Sequence, residues 1–238
     1  MKPRCTNQRN HALTRVEVVV VVVVVVLLFF VAALLLLALL PPRHHRSYIS
    51  CANNLKQIGL SYRIWAGDNN DKYPMETSVT NGGTMELINT SDAWKTFQVM
   101  SNELSTPKLL LCPVVAESTG FVYATNFGDD LKNKISYFIG LDSDTNHPSA
   151  FLSGDDNFEI NGVAIKSSLL EFSTNAPIAW SATRHKFVGN IGLADGSVQM
   201  VNNSGLTNLV HQTGLATHRL AIPYSVFHPC ASVANFPA

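Results

Sequence analysis

The sequence predicts an α+β chain: a long N-terminal helix with a membrane-spanning half and an outer half, the outer half packed on a small antiparallel β-sheet. Three observations carry this expectation. Val18 to Leu40 is an unbroken run of 23 apolar residues. Between Ser47 and Ala66, the residues Ala52, Leu55, Ile58 or Gly59, Tyr62 and Trp65 recur at helical spacing. Beyond Leu104 the chain breaks into short apolar or aromatic segments bounded by turn residues, as strands do.

The apolar run comes first in the chain and decides most. At about 1.5 Å per residue it reaches roughly 35 Å, enough to cross a hydrocarbon core of about 30 Å. A core helix of a soluble protein is the alternative reading. The rest of the chain is too polar to wrap a helix that is apolar on every side. Met1 to Ala12 carries Lys2, Arg4 and Arg9 and no acid, and Arg15 lies closer still. By the positive-inside rule this places the N-terminus in the cytoplasm; Arg43 and Arg46 weaken the asymmetry without reversing it. A secretory signal has a shorter apolar stretch and a small-residue cleavage site after it, and Pro41-Pro42 is no such site. The segment is therefore expected to be retained.

Past Pro42 the amphipathic stripe gives a second helix over about Ser47 to Ala66, ended by the cluster Gly67-Asp68-Asn69-Asn70-Asp71. Prolines kink helices, so the two segments can be one bent helix with its kink at Pro41-Pro42. A further helix is expected from Asp92 to Leu104, with Ser91 as its N-cap and Trp94, Phe97, Met100 and Leu104 facing inward. Strands are expected at Leu109–Leu111, Ile135–Leu141, Ala150–Leu152 and Ile178–Trp180. Asn161-Gly162 should join Phe158–Ile160 to Val163–Ile165, and Asp195-Gly196 should join Asn190–Ala194 to Ser197–Val201. Both dipeptides suit two-residue turns that need positive φ. A short helix follows near Leu206–His211, and no element is assigned from Thr217 onward. Formal charges balance, with 17 basic and 17 acidic side chains. No basic patch with interleaved aromatics points to nucleic acid.

The segment His11-Ala12-Leu13-Thr14-Arg15-Val16-Glu17, followed by the apolar run, resembles the N-terminus of type IV pilins and type II secretion pseudopilins. Members of that family carry a short basic leader that a prepilin peptidase removes, N-methylating the new terminus. The resemblance implies a cut between Ala12 and Leu13, with Glu17 as the fifth residue of the mature chain. In the family that glutamate is thought to meet the terminal amine of a neighbouring subunit during assembly; a plainer role is to mark the water boundary near Arg15. Loss of the leader would take the formal charge from 0 to 0 − 3 = −3, since it holds three basic residues and no acids. The stretch Cys51-Ala52-Asn53-Asn54-Leu55-Lys56-Gln57-Ile58-Gly59-Leu60 is similar to a signature found after the anchor in a large bacterial subgroup. Asp68-Asn69-Asn70-Asp71-Lys72-Tyr73-Pro74, Cys112-Pro113, and His185 followed after nine residues by Asp195-Gly196 fit the same subgroup. Ala12 replaces the family's glycine, and Arg15 stands where the family is apolar.

The domain plan implied is a leader over 1–12, a transmembrane helix over 13–42 and an extracytoplasmic pilin-like domain over 43–238. The location implied is the bacterial inner membrane, single-pass, with the C-terminal domain periplasmic or extracellular. The expected partners are the prepilin peptidase and other pilin-like subunits, in a type IV pilus-like filament or a type II secretion pseudopilus. Of four cysteines, Cys5 lies in the leader; Cys51, Cys112 and Cys230 would lie where disulfides persist. A Cys51–Cys112 bridge would tie the second helix to the first strand region and leave Cys230 odd, although sequence alone does not fix pairing.

Three candidate sites remain. His185 and Asp195 can be read as a catalytic or metal pair, but two residues make no site without a nucleophile or further ligands. The plainer account has Asp195 and Gly196 serving the turn and His185 preceding its first strand. Acidic and amide loops at Asp68–Asp71, Asp142–Asp144 and Asp155–Asn157 offer oxygen ligands for a structural calcium ion, which some secretion pseudopilins use. Solvated turns are the competing reading, and no EF-hand loop is present. His44-His45 between Arg43 and Arg46 marks the lipid headgroup zone more readily than a metal site. No nucleophile elbow, phosphate loop or zinc motif occurs, so neither an enzyme nor a resident cofactor is expected. The leading expectation is a structural filament subunit. The alternative is a permanently anchored module that binds a surface polymer through loops 76–91 and 142–157. A tethered hydrolase using His185 and Asp195 ranks last.

Overall fold

The computed structural model describes residues 14–38, 43–90, 92–165 and 168–222. The processing positions Ala12 and Leu13, Cys5, Pro41-Pro42, Ser91 and Cys230 lie outside the described residues, as do the side chains of Arg43, His44, His45 and Arg46. The described chain is α+β and divides into two compact units, 1–43 and 44–238.

The first unit is helix α1, Arg15–Ala38. Its segment Arg15–Leu37 is long and apolar enough to span a membrane, and none of it is buried. The helix start is capped by the residues of the predicted processing segment itself. Thr14 Oγ1 accepts from the Glu17 amide at 3.4 Å, while Glu17 Oε2 accepts from the Thr14 amide at 2.8 Å and from its hydroxyl at 3.0 Å. This reciprocal pair is a capping box, which satisfies two backbone donors that a helix end otherwise leaves open.

The second unit is built on helix α2, Arg43–Asp68. Cys51, Leu55, Ile58, Tyr62, Trp65 and Ala66 are buried along one face. The stripe read from sequence is thus the core face, with its centre rotated so that Cys51, not Ala52, begins it. The helix ends where the polar cluster predicts: Asn70 and Asp71 adopt φ of 58° and 56°, and the Asp71 amide reaches back to the Ala66 carbonyl at 2.9 Å. Asn and Asp tolerate this left-handed backbone better than other side-chain-bearing residues.

Two expectations for the following segment need correction. The Asp92–Leu104 helix is broken into α3, Lys95–Val99, and α4, Ser101–Leu104, because Met100 leaves helical backbone at φ −91°, ψ 22°. Its inward residues are nonetheless those expected: Trp94, Phe97, Met100 and Leu104 are all buried. The apolar triplet Leu109–Leu111 is not a strand. Pro107 starts a 3₁₀ turn through Leu110, and a short helix α5, Pro113–Thr119, follows with Pro113 in its first turn.

Among the described residues the strands are β1 Tyr137–Gly140, β2 Phe151–Asp155, β3 Phe158–Ile160, β4 Val163–Ala164, β5 Ser168–Ser173, β6 Ile178–Trp180, β7 Val188–Leu193, β8 Val198–Asn202 and β9 Thr217–Ile222. Helix α6, Asn203–Gln212, lies between β8 and β9. Six strands form an antiparallel sheet in the order β5-β9-β1-β2-β7-β8, and three form a second sheet, β4-β3-β6. The sheet is larger than expected because β5 and β9 joined it unforeseen. Both predicted hairpins form, β3–β4 and β7–β8. Alternation along β1 sorts the core into two layers: Tyr137 and Ile139 face the α2 side with Leu55, Ile58 and Tyr62, while Phe138 faces α6 and the small sheet with Phe158 and Trp180.

Candidate functional site

The sheet carries the second unit's principal polar centre on the side of α2, and strand ends and loops build it. Asp155 closes β2. Along the preceding run Ala150 to Gly154 every residue is buried, and the strand carries Asp155 and then Asp156 into the interior with it. The loop before β7 brings Arg184 and His185, the residue that caps the start of α5 is Cys112, and α2 brings Cys51. Asp155, Asp156, His185, Cys51 and Cys112 are each no more than 3% exposed.

Cys51 and Cys112 form a disulfide, with Cα atoms 5.4 Å apart across 61 positions of chain. The bridge therefore joins α2 to the start of α5 rather than to a strand, since Leu109–Leu111 is not one. Cys112 is held at its backbone too, where its amide donates to Ser136 Oγ at 2.6 Å. His185 Nε2 lies 3.5 Å from Cys112 Sγ and 3.5 Å from Asp155 Oδ2. Asp155 Oδ2 also accepts from the backbone and side-chain nitrogens of Asn190 on β7, at 2.8 and 2.9 Å. Arg184 pairs with Asp156 and donates to the Ser136 carbonyl at 2.8 Å.

The electrostatics of the two acids diverge. Burial pushes the Asp155 carboxyl up, but the hydrogen bond and charge of His185, Arg184 and the Asn190 amide outweigh it and hold the group below its ordinary range. Burial pushes the neighbouring Asp156 up to about 6, with Arg184 pulling the other way and the Asp155 charge adding to the rise. Adjacent carboxyls with diverging behaviour mark a constructed polar centre, not a pair of surface acids. Backbone strain lies beside it: Lys186 and Phe187 both adopt left-handed φ, 52° and 65°. Two consecutive residues of this kind are costly and persist only where the surroundings over-determine them.

The His185 and Asp195 motif is taken apart by this geometry. The two residues sit at opposite ends of β7, a six-residue strand of about 20 Å at ~3.3 Å per residue. His185 meets Asp155 and the disulfide. Asp195 makes the turn, its Oδ1 accepting from the Ser197 amide at 2.7 Å, with Gly196 at φ 86°. The same turn docks on α2: Arg63 Nη1 donates to the Asp195 carbonyl at 2.6 Å, and the Tyr73 hydroxyl donates to the Ala194 carbonyl at 3.2 Å. Each end of β7 is thus fastened to the α2 side, one through a histidine at a disulfide and one through a turn.

The acidic loops fare differently from one another. Asp155–Asn157 is not a solvated turn but part of the buried centre. Asp142 accepts from the backbone amide and Nε of Arg219, each at 2.7 Å. Asp144 accepts from the Asn146 and His147 amides and contacts His147 Nδ1. Asp68–Asp71 forms the α2 terminus. A surface cleft of about 350 Å³ lies near that terminus, lined by Arg63, Asp71, Tyr73, Thr145, Pro148 and Asp195.

Sequence reasoning paired Cys51 with Cys112 but did not bring His185 to them, and it placed Asp155 in a calcium loop. One signal was available: two acids ending an otherwise buried-type strand, Ala150 to Asp156, in a chain with only 14% charged residues. No protein-family model matches this chain, and no curated protein or solved structure matches it either.

Proposed function

We propose that the protein is a pilin-like structural subunit, anchored by α1, cut by a prepilin peptidase between Ala12 and Leu13, and assembled into a filament of the pilus or secretion-pseudopilus type through its N-terminal helices. The supporting observation is the two-sided character of α2. One face is committed to the domain's own core, yet the opposite face exposes Ile49, Leu60 and Ile64 at 51%, 58% and 47%. Leu60 and Ile64 stand four positions apart and so share a stripe that another helix can cover. The buried centre is consistent with a mechanical role: it braces α2 against the sheet, with His185 itself buried.

The first test is the mass and N-terminal sequence of the chain expressed with its cognate prepilin peptidase. A mature chain beginning at N-methylated Leu13 is expected. A chain retaining Met1 or Lys2 with active peptidase present would replace this reading by the second one, a permanently anchored module. The cleft at Arg63, Tyr73 and Asp195 is what favours that second reading, because it sets charged and hydroxyl groups where a hydrated surface polymer can be bound. Leu60→Glu with Ile64→Glu should abolish filament recovery while leaving the exposed-face variant folded; undiminished filaments would reject assembly through this stripe.

A further inference from the structure

We propose that the buried centre is a zinc-type metal site when Cys51 and Cys112 are thiols, and that disulfide formation closes it. Four different ligand side chains converge there: Cys51, Cys112, Asp155 and His185, with their ligating atoms all within 4.8 Å of one another. Two sulfurs, an imidazole nitrogen and a carboxylate make a donor set that suits a borderline-soft divalent ion with tetrahedral geometry.

The spacing agrees with the chemistry. A tetrahedral ion with a metal–sulfur bond of about 2.3 Å and metal–nitrogen and metal–oxygen bonds of about 2.0–2.2 Å keeps its sulfur and nitrogen about 3.5 Å apart, and its nitrogen and oxygen about 3.4 Å apart. His185 Nε2 stands 3.5 Å from Cys112 Sγ and 3.5 Å from Asp155 Oδ2. The sulfurs of a dithiol must separate to about 3.8 Å around such an ion. That is a side-chain adjustment which the Cα spacing of 5.4 Å accommodates without moving either helix. A second observation points the same way: Asp155 Oδ1 is fully buried and has no hydrogen-bond partner. A buried carboxylate with one oxygen left so is costly, and a cation held by that same carboxylate, through Oδ2 beside His185 or through Oδ1, relieves it. Asn190 donates to Oδ2 through both its backbone and side-chain nitrogens and so sets the orientation of the carboxylate, as outer partners of metal ligands do.

The two states share one set of atoms and exclude each other. A phosphine reductant with water converts the disulfide to two thiols and is itself oxidised to the phosphine oxide. The metal ion then displaces both thiol protons to solvent, and the sulfurs bind as thiolates. The chain before oxidation would thus be braced by the ion at the place where the disulfide later braces it.

The test uses the full chain in detergent, carrying Cys5→Ser and Cys230→Ser so that only the two sulfurs in question remain. Phosphine-reduced and oxidised samples are titrated with Co²⁺, and Zn²⁺ affinity is then measured against a chromophoric chelator. The reduced chain is expected to bind one equivalent, with thiolate-to-cobalt charge-transfer absorption and the visible bands of tetrahedral cobalt; the oxidised chain should show neither. His185→Gln and Asp155→Asn should each weaken Zn²⁺ binding about tenfold or more, whereas His147→Gln, at an exposed histidine, should leave it unchanged. If reduction loosens the fold, near-UV circular dichroism should return on adding Zn²⁺. Failure of the reduced chain to bind, failure of Zn²⁺ to restore a loosened fold, or an affinity indifferent to His185 and Asp155 would each overturn the proposal.

Discussion

Glu17 illustrates how one side chain can satisfy two accounts that single substitutions would confuse. Its carboxylate closes the capping box with Thr14, and the proposed assembly role needs its charge. Glu17→Gln keeps the cap geometry and removes the charge; Glu17→Val removes both. If charge serves assembly, both variants insert but lose filaments. If only the cap matters, Gln retains filament yield and Val alone lowers it. His218 permits a test by pH. It is buried between Phe172, stacked at 5.1 Å, and Phe151 at 5.4 Å, with Nε2 3.3 Å from Thr213 Oγ1. Burial lowers its affinity for a proton from the ordinary 6.5, against the opposing pull of Asp142, itself paired with Arg219, and of the Val210 backbone. The unfolded chain then binds the proton more readily than the folded one. This contribution to stability is complete above about pH 6.5 and is lost as pH falls through the lowered value. A thermal melt series should show Tm declining below about pH 6.5, and His218→Gln should flatten that part of the curve. At Gly189 an added Cβ would stand 2.6 Å from the Trp180 ring. Gly189→Ala should therefore cost about 1–3 kcal/mol in urea unfolding, the usual penalty for overpacking against a group that cannot move aside.

Among the elements, legibility followed locality. The core face of α2 was readable because its residues repeat within a few turns, and both hairpins were readable because Asn161-Gly162 and Asp195-Gly196 carry their turn chemistry with them. Leu109–Leu111 was misread because an apolar triplet has no period, and Pro107 decided the matter by opening a 3₁₀ turn. Strands β5 and β9 escaped notice because they pair with each other across the whole hairpin β7–β8 and helix α6. Nothing within either segment announces its partner. The buried centre escaped for the same reason: its four side chains come from α2, the residue before α5, β2 and the loop before β7. The bridge between α2 and α5 can be weighed separately. For a loop of 61 positions, chain entropy gives about 4 kcal/mol of stabilisation. The metal-free double variant Cys51→Ser, Cys112→Ser should lose roughly that much in urea unfolding; an unchanged midpoint would mean the hydrogen-bonded centre alone holds α2 to the sheet.

At the scale of the whole molecule, the strand order β5-β9-β1-β2-β7-β8 sets a timetable. Strand β9, at Thr217–Ile222, is an interior strand, paired to β5 on one side and to β1 on the other. A chain that emerges N-terminus first has α2 and both bridging cysteines available early, but it cannot unite β5 with β1 until nearly all its described residues are out. Ending the chain at Ala216 should leave a protease-sensitive species without the full chain's cooperative melt. A long-range closure of this kind slows folding and leaves strand edges open in the interval. In that interval a clasp between residues 51 and 112 is a long-range covalent constraint that the chain can set before its last strand arrives, holding α2 to the sheet side while the edge left for β9 is still open.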